Sequence, residues 1–450
     1  MRLIEDGSRG FEREIEAIAS RGSDVPPEVE TAVRGIIDAV RREGDAAVAR
    51  CARRFDRCGL PPSKWKVTRR AIDGAFRGVE AGVLDALRTA ADRIAAFHEH
   101  QREKNWFVTD EEGALLGQVV KPLDSVGLYA PGGTASYPSS VLMNAIPARV
   151  AGVPRIVLCT PATGGTVPPI LLAAAKIAGV DEIYAIGGAQ AVAAMAYGTK
   201  SVRPVAKIVG PGNIYVATAK RMVFGAVDID MVAGPSEVLI IADESADPRV
   251  AAADLLAQAE HDPLAWPLVV SPSLDLLVRI RREAGRQAAL LPRKSIAAES
   301  LARRGTLIRA RSLAQAVEIS NRIAPEHLEL AVANPFGLLP LVRNAGAVFL
   351  GHDTPEAVGD YVAGPNHVLP TGGTARFASP LSVGDFLRRS SVVAFTREAL
   401  VRLGPAAVRL ARAEGLEAHA RAVEMRLDHS RGARGPKTTR PAGRKRGPGR

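Results

Sequence analysis

Two Glu-His dipeptides stand in the middle of a chain that holds 8 histidines in 450 residues: Glu260-His261 inside ADLLAQAEHDP, and Glu326-His327 inside NRIAPEHLEL. Two further polar clusters follow, GDYVAGPNHVLPT with Asp360 and His367, and EGLEAHA with Glu414 and His419. Carboxylates near imidazoles supply metal ligands and proton-transfer groups. Together the four segments mark an enzyme.

Gln258 and His261 are three apart on a predicted helix and share a face, so an amide oxygen and an imidazole could converge on one ion. The same residues at a helix end also serve capping or solubility. Asp360 and His419 could complete a mixed N/O tetrad suited to zinc or another borderline divalent ion, a convergence that spacing leaves open. Glu326-His327 follows Ala324-Pro325, where proline ends the preceding helix. Neighbours in an extended segment point to opposite sides, so this pair would flank one substrate, each residue acting as its own base. The alternative is a polar surface loop; the apolar flanks favour a half-buried, tunable site.

These residues need a scaffold. Short apolar runs, RIVLCT (155–160), EIYAIGG (182–188) and AKIVGPG (206–212), alternate with helical stretches, the grammar of βαβ units on a parallel sheet. A second series begins at EVLIIAD (237–243); Asp247-Pro248 reads as a helix N-cap with proline at the first helical position. The expected fold is α/β, with two Rossmann-like parallel-sheet domains at 121–235 and 236–380. Before them, 1–120 is helix-rich, and Ile72 to Phe97 carries apolar residues at spacings of three and four, read as one amphipathic helix. After them, 381–430 is read as helical with a break at Gly404-Pro405, and 431–450 as a disordered basic tail. Glycine-rich turns after the strands (YAPGG, AIGGAQ, VGPGN) suit ligand binding beyond strand carboxyl ends. None matches G-x-G-x-x-G, so a dinucleotide site is plausible but open.

Composition narrows the class. With 47% hydrophobic and 24% charged residues the chain reads as globular, and no apolar run reaches the roughly 18–20 residues that span a bilayer. The charged N-terminus lacks a secretory core. Three cysteines, Cys51, Cys58 and Cys159, give no disulfide framework, which fits a cytoplasmic protein. The net charge of +11 suggests nucleic acid, but the last twenty residues carry eight Lys/Arg and no acid, leaving +3 on the rest. The folded body is therefore not a nucleic-acid binder by charge; only the tail could touch phosphates nonspecifically.

The blocks DSVGLYAPGG, YPSSVLMNAIPARVAGV, IGGAQAVAAMAYGT, VGPGNIYVATAKR, AGPSEVLIIAD, DLLAQAEHDP, APEHLEL, TPEAVGDYVAGPNHVLPT and ARAEGLEAHARAVEMRL resemble the histidinol dehydrogenase family, from about residue 10 to 427. The resemblance implies a homodimer that uses Zn2+ and two NAD+ to oxidise L-histidinol through an aldehyde to L-histidine. It implies Gln258, His261, Asp360 and His419 as metal ligands that hold the substrate, with Ser236, His367 and Glu414 as further substrate contacts. Glu326 would activate water and His327 would accept the alcohol proton, both next to substrate. Tyr129, Gln190 and Asn213 would contact NAD+. The C-terminal segment would be swapped between subunits, Glu414 and His419 completing the neighbour's site. Val232 departs from the family's usual proline, and the tail has no counterpart. A rival on the same fold is an NAD-dependent dehydrogenase of a small diol such as sulfopropanediol; His367 and Glu414 favour an imidazole- and amine-bearing substrate instead.

Overall fold

The computed structural model describes residues 1–22, 25–132 and 136–428, so the basic tail lies outside the described residues. The chain divides into two units, one of residues 1–102 and 122–387, the other of 103–121 with the segment from 388 onward.

The first unit holds two parallel sheets. The five-stranded sheet runs Glu182–Ala185, Ile156–Thr160, Val126–Tyr129, Lys207–Val209, Asp228–Ile229. The six-stranded sheet runs Arg2–Glu5, Thr306–Arg309, Trp266–Ser271, Glu237–Ala242, His327–Ala331, Ala347–Leu350. In each, the first strand of the series lies centrally and the chain reverses direction beside it, between Val126–Tyr129 and Lys207–Val209 in one and between Glu237–Ala242 and His327–Ala331 in the other. That reversal opens a crevice at a topological switch point.

Both faces of each sheet are covered, which is why the strands read as continuous apolar runs rather than alternating ones. Val126, Leu128, Ile156 and Leu158 face one core, while Tyr129, Val157 and Cys159 face the other. In the second sheet Val238 and Ile240 separate likewise from Leu239 and Ile241. The N-terminal helices are shared out: Pro27–Glu43 and Asp45–Phe55 cover the five-stranded sheet, and Phe11–Ala19 packs on the six-stranded one.

Three local expectations change. The helix over 72–97 is two helices, Arg69–Gly78 and Ala81–Glu99, with Val79 extended between them; apolar spacing continues across the joint because both helices pack on one core. The N-terminal strand Arg2–Glu5 and the strand Leu387–Ala394, inside a region read as helical, are additional. The β-branched pair Val392-Val393 favours the second. No break occurs at Gly404-Pro405: the helix Arg397–Ala413 runs through it. A Cβ at Gly404 would crowd Val423 and Leu427 at 3.2 Å, so glycine lets the helix Glu417–Asp428 pack closely there.

In the second unit the sheet order is Leu387–Ala394, Leu115–Pro122, Trp106–Thr109, the last two antiparallel, followed by the two C-terminal helices. Among the described residues no helix is long and apolar enough to cross a membrane.

Candidate active site

A cleft of about 2070 Å³ in the first unit is lined by Tyr129, Gln190, Asn213, Ser236, Gln258, His261, Glu326, His327, Asp360 and His367. Its two walls are built from opposite ends of the two sheets.

One wall is formed by the carboxyl ends of the five-stranded sheet. Tyr129 ends its strand, and its hydroxyl accepts a hydrogen bond from Gly188 N–H at 3.0 Å. Gly188 has φ +64° and opens the helix Gly188–Tyr197, which carries a buried Gln190. The Gln190 amide donates to Asp56 at 3.0 Å. Gly210 follows the strand Lys207–Val209 at φ +110°; a Cβ there would collide with the Tyr129 carbonyl oxygen, so only glycine lets the two chains approach. A buried ion pair brackets that glycine: Lys220 donates to its carbonyl at 2.9 Å and Asp230 accepts from its N–H at 2.8 Å, while Lys220 and Asp230 pair with each other. Asn213 then N-caps the helix Ile214–Val223, accepting from Tyr215 and Val216 N–H at 3.1 and 3.2 Å. This wall presents helix N-termini and glycine backbone, a setting that favours phosphate.

The other wall is formed by the amino ends of the six-stranded sheet. The helix Pro248–Ala259, capped by Asp247 as the sequence suggested, runs back from a strand end and delivers Gln258 and His261 at its C-terminus. The helix Leu313–Ile323 does the same, ending at Ala324 in the left-handed conformation (φ 49°) before Pro325 leads into Glu326 and His327. Helix C-termini favour cations.

His327 is buried, and Nδ1 lies 2.9 Å from the Glu237 carbonyl oxygen. A carbonyl can only accept, so Nδ1 carries the proton and Nε2 is the basic nitrogen. Nε2 is buried without a hydrogen-bond partner, 3.8 Å from Asp360 Oδ1. Burial lowers this imidazole's pKa from its ordinary value, against the opposing pull of Asp360. His261 is lowered by burial too. Glu326 is buried, and desolvation followed by the nearby Glu237 carboxylate pushes it well above the usual carboxylate range. His367 Nδ1 donates to the Asp360 carbonyl at 2.9 Å, which faces its ring toward Asp360 Oδ1.

Glu356, not singled out from the sequence, completes the cluster. Its carboxylate is buried and lies 3.8 Å from His327 Nδ1, and ligand atoms of His327, Glu356 and Asp360 lie within 4.8 Å of one another. The Gln258 amide nitrogen, in the orientation its surroundings favour, donates to the Glu237 carbonyl at 3.0 Å and to Glu356 at 3.2 Å. Because His327 Nδ1 already carries a proton, the amide nitrogen 3.2 Å away is not donating to it. Glu356 stands four residues before Asp360 on one short helix, a spacing that was visible but lacked a partner to give it meaning. Glu237 was likewise missed: nothing in AGPSEVLIIAD marks it, and its position depends on strand register. Glu414 and His419 belong to the second unit, where both are exposed.

The donor set of Gln258, His261 and Asp360 fits a divalent metal: an amide, a half-buried imidazole held toward its neutral form, and a carboxylate, with the partnerless His327 Nε2 beside Asp360. Facing it is a wall suited to an anionic cofactor.

Residues 19–427 match the histidinol dehydrogenase family. The histidinol dehydrogenase of Syntrophotalea carbinolica is 55% identical over 430 residues, covering 96% of this chain and 100% of that protein. That of Geobacter metallireducens is 54% identical over 428 residues, 95% and 98% of the two chains. The crystal structure of histidinol dehydrogenase from Elizabethkingia anophelis superposes with a TM-score of 0.90 at 35% identity, covering 96% and 99%.

Proposed function

The chain belongs to the histidinol dehydrogenase family, whose members are oxidoreductases, and on that premise we propose that it catalyses the four-electron oxidation of L-histidinol, by way of L-histidinal, to L-histidine in the cytoplasm. The observation that carries this reading is a cleft in which an anion-favouring wall faces the buried Glu326 and His327. Two NAD+ molecules, used in turn, supply the hydride acceptor at the wall of Tyr129, Gln190 and Asn213. Gln258, His261 and Asp360, with His419 of the partner subunit, would hold a Zn2+ ion, which would supply Lewis-acid positioning of the substrate.

His327 Nε2 takes the hydroxyl proton as hydride leaves the carbinol carbon. Its depressed pKa keeps it free to do so at neutral pH. Glu326 then takes a proton from water as the water oxygen bonds to the aldehyde carbon, while His327 returns its proton to the aldehyde oxygen, giving the hydrate and freeing Nε2. Loss of a second hydride from the hydrate, with His327 again taking the hydroxyl proton, yields the carboxyl product. Burial and the Glu237 carboxylate raise the Glu326 pKa, which makes the ionised carboxylate a stronger base toward water. Ser236 and His367, with Glu414 of the partner subunit, complete the substrate pocket of a homodimer.

Incubation of the purified full-length protein with NAD+ and L-histidinol tests this directly. The expected yield is close to two NADH per histidinol, abolished by a chelator and restored by Zn2+. Oxidation of a sulfonated diol with no turnover of histidinol would replace this reading with the rival one.

A further inference from the structure

Glu237 takes no part in the proton chemistry above, yet its main chain touches both residues that do. Its N–H donates to Glu326 Oε2 at 2.9 Å, and its carbonyl accepts from His327 Nδ1 at 2.9 Å. The register of the parallel strands pairs His327 with Val238 and so sets Glu326 beside Glu237. The Glu237 side chain is 1% exposed, and each of its oxygens has two donors. Oε1 accepts from Arg21 Nε at 2.8 Å and Gly372 N–H at 2.9 Å; Oε2 accepts from Arg21 Nη2 and from Glu326 N–H at 3.3 Å.

Arg21, itself 3% exposed, comes from beyond the N-terminal helix Phe11–Ala19. Its remaining nitrogen donates to the carbonyls of Ile18 at 2.8 Å and Ile323 at 2.9 Å. Those carbonyls belong to the last turns of two helices, and the second helix leads directly into Glu326. One guanidinium therefore ties down the carboxylate, two helix ends and the approach to the base pair. A planar fork matches this set of acceptors, which a lysine ammonium cannot reproduce.

We propose that Arg21 and Glu237 are positioning residues for the oxidation: their buried ion pair fixes the Glu237 main chain, and that main chain aims the Glu326 carboxylate and the His327 imidazole into the cleft. This rests on the reading of Glu326 and His327 as the working bases. Stability alone gives weak reason for such a pair, because apolar side chains of similar volume commonly replace a buried ion pair at little cost, whereas removing one partner strands a charge. The geometry offers a different reason. Both bases hang from one peptide segment, so a small rotation there misplaces both.

The full-length double variant Arg21→Met/Glu237→Met separates positioning from stability. The expected result is a melting temperature near that of wild type and a kcat lower by about 100-fold, with KM for histidinol changed less than about threefold. A second variant, Arg21→Lys, keeps the charge and loses the fork; its kcat should fall about tenfold at unchanged KM. Recovery of wild-type kcat to within about threefold in the folded double variant, or to within about twofold in Arg21→Lys, overturns the positioning role. Wild-type protein that forms no NADH from histidinol overturns the functional reading as well, so the two failures are distinct.

Discussion

The two parallel sheets share a strand order but give the cleft opposite ends. The five-stranded sheet offers its carboxyl ends, where turns are rich in glycine and helices begin. The six-stranded sheet offers its amino ends, where helices finish and where Gln258, His261, Glu326 and His327 collect. The usual ligand crevice of an open α/β sheet, outside the strand carboxyl ends, therefore serves one sheet and not the other. Helix polarity follows: one wall is suited to an anion and the other to a cation. Each wall is stiffened by a buried ion pair, Lys220–Asp230 around Gly210 in the first and Arg21–Glu237 behind the bases in the second.

The comparison breaks most sharply at the amino-end wall. His327→Gln should lower alcohol oxidation by about 10³-fold, as loss of a general base does, with NAD+ affinity unchanged. Single-turnover kinetics with histidinol would check this; an equal loss of NAD+ binding would merge the two walls. Glu326→Gln should cost about 10²-fold, confined to the aldehyde stage, so that histidinal supplied directly is turned over slowly while its formation from histidinol stays fast. Equal loss at both stages would contradict the division of labour.

At the carboxyl-end wall, Asn213→Ala removes a helix cap worth about 1 kcal/mol and should raise KM for NAD+ about fivefold without altering bound metal. Steady-state kinetics and metal analysis would decide it. The smallest effect lies behind the bases, where Asp254 and Glu329 share a hydrogen bond and titrate upward, mainly through burial, to about 6 and about 8. Both folded values lie above the unfolded ones, so the stability they contribute is full below about pH 4 and is lost as pH rises through 8. Melting temperature should decline over that range, and Glu329→Gln should flatten the decline.

Much of the first wall was legible, because backbone chemistry writes itself into sequence. Glycine is demanded where φ is positive at Gly188 and Gly210, and the glycine-rich turns that carry them stood out after the strands. The second wall was legible only in part. Imidazoles stand out by rarity, so His261, His327 and His367 were found, but Glu237, Glu356 and Arg21 look like ordinary charges. Their meaning arises from strand register and from contacts between residues as far apart as 216 positions. The helix break at Val79 had a signal in Gly78 that continuous apolar spacing masked. The strand Arg2–Glu5 had none, being four residues paired with a strand about 300 positions away.

Binding measurements on the two walls, made separately, test the division most directly. NAD+ and Zn2+ affinities would be taken by calorimetry on full-length Gln190→Ala and His261→Asn proteins. The expected outcome is that Gln190→Ala weakens NAD+ and keeps Zn2+, while His261→Asn loses Zn2+ and keeps NAD+. Loss of NAD+ with Zn2+ retained in His261→Asn, or the reverse in Gln190→Ala, would contradict a cleft built from an anion-binding wall and a cation-binding wall.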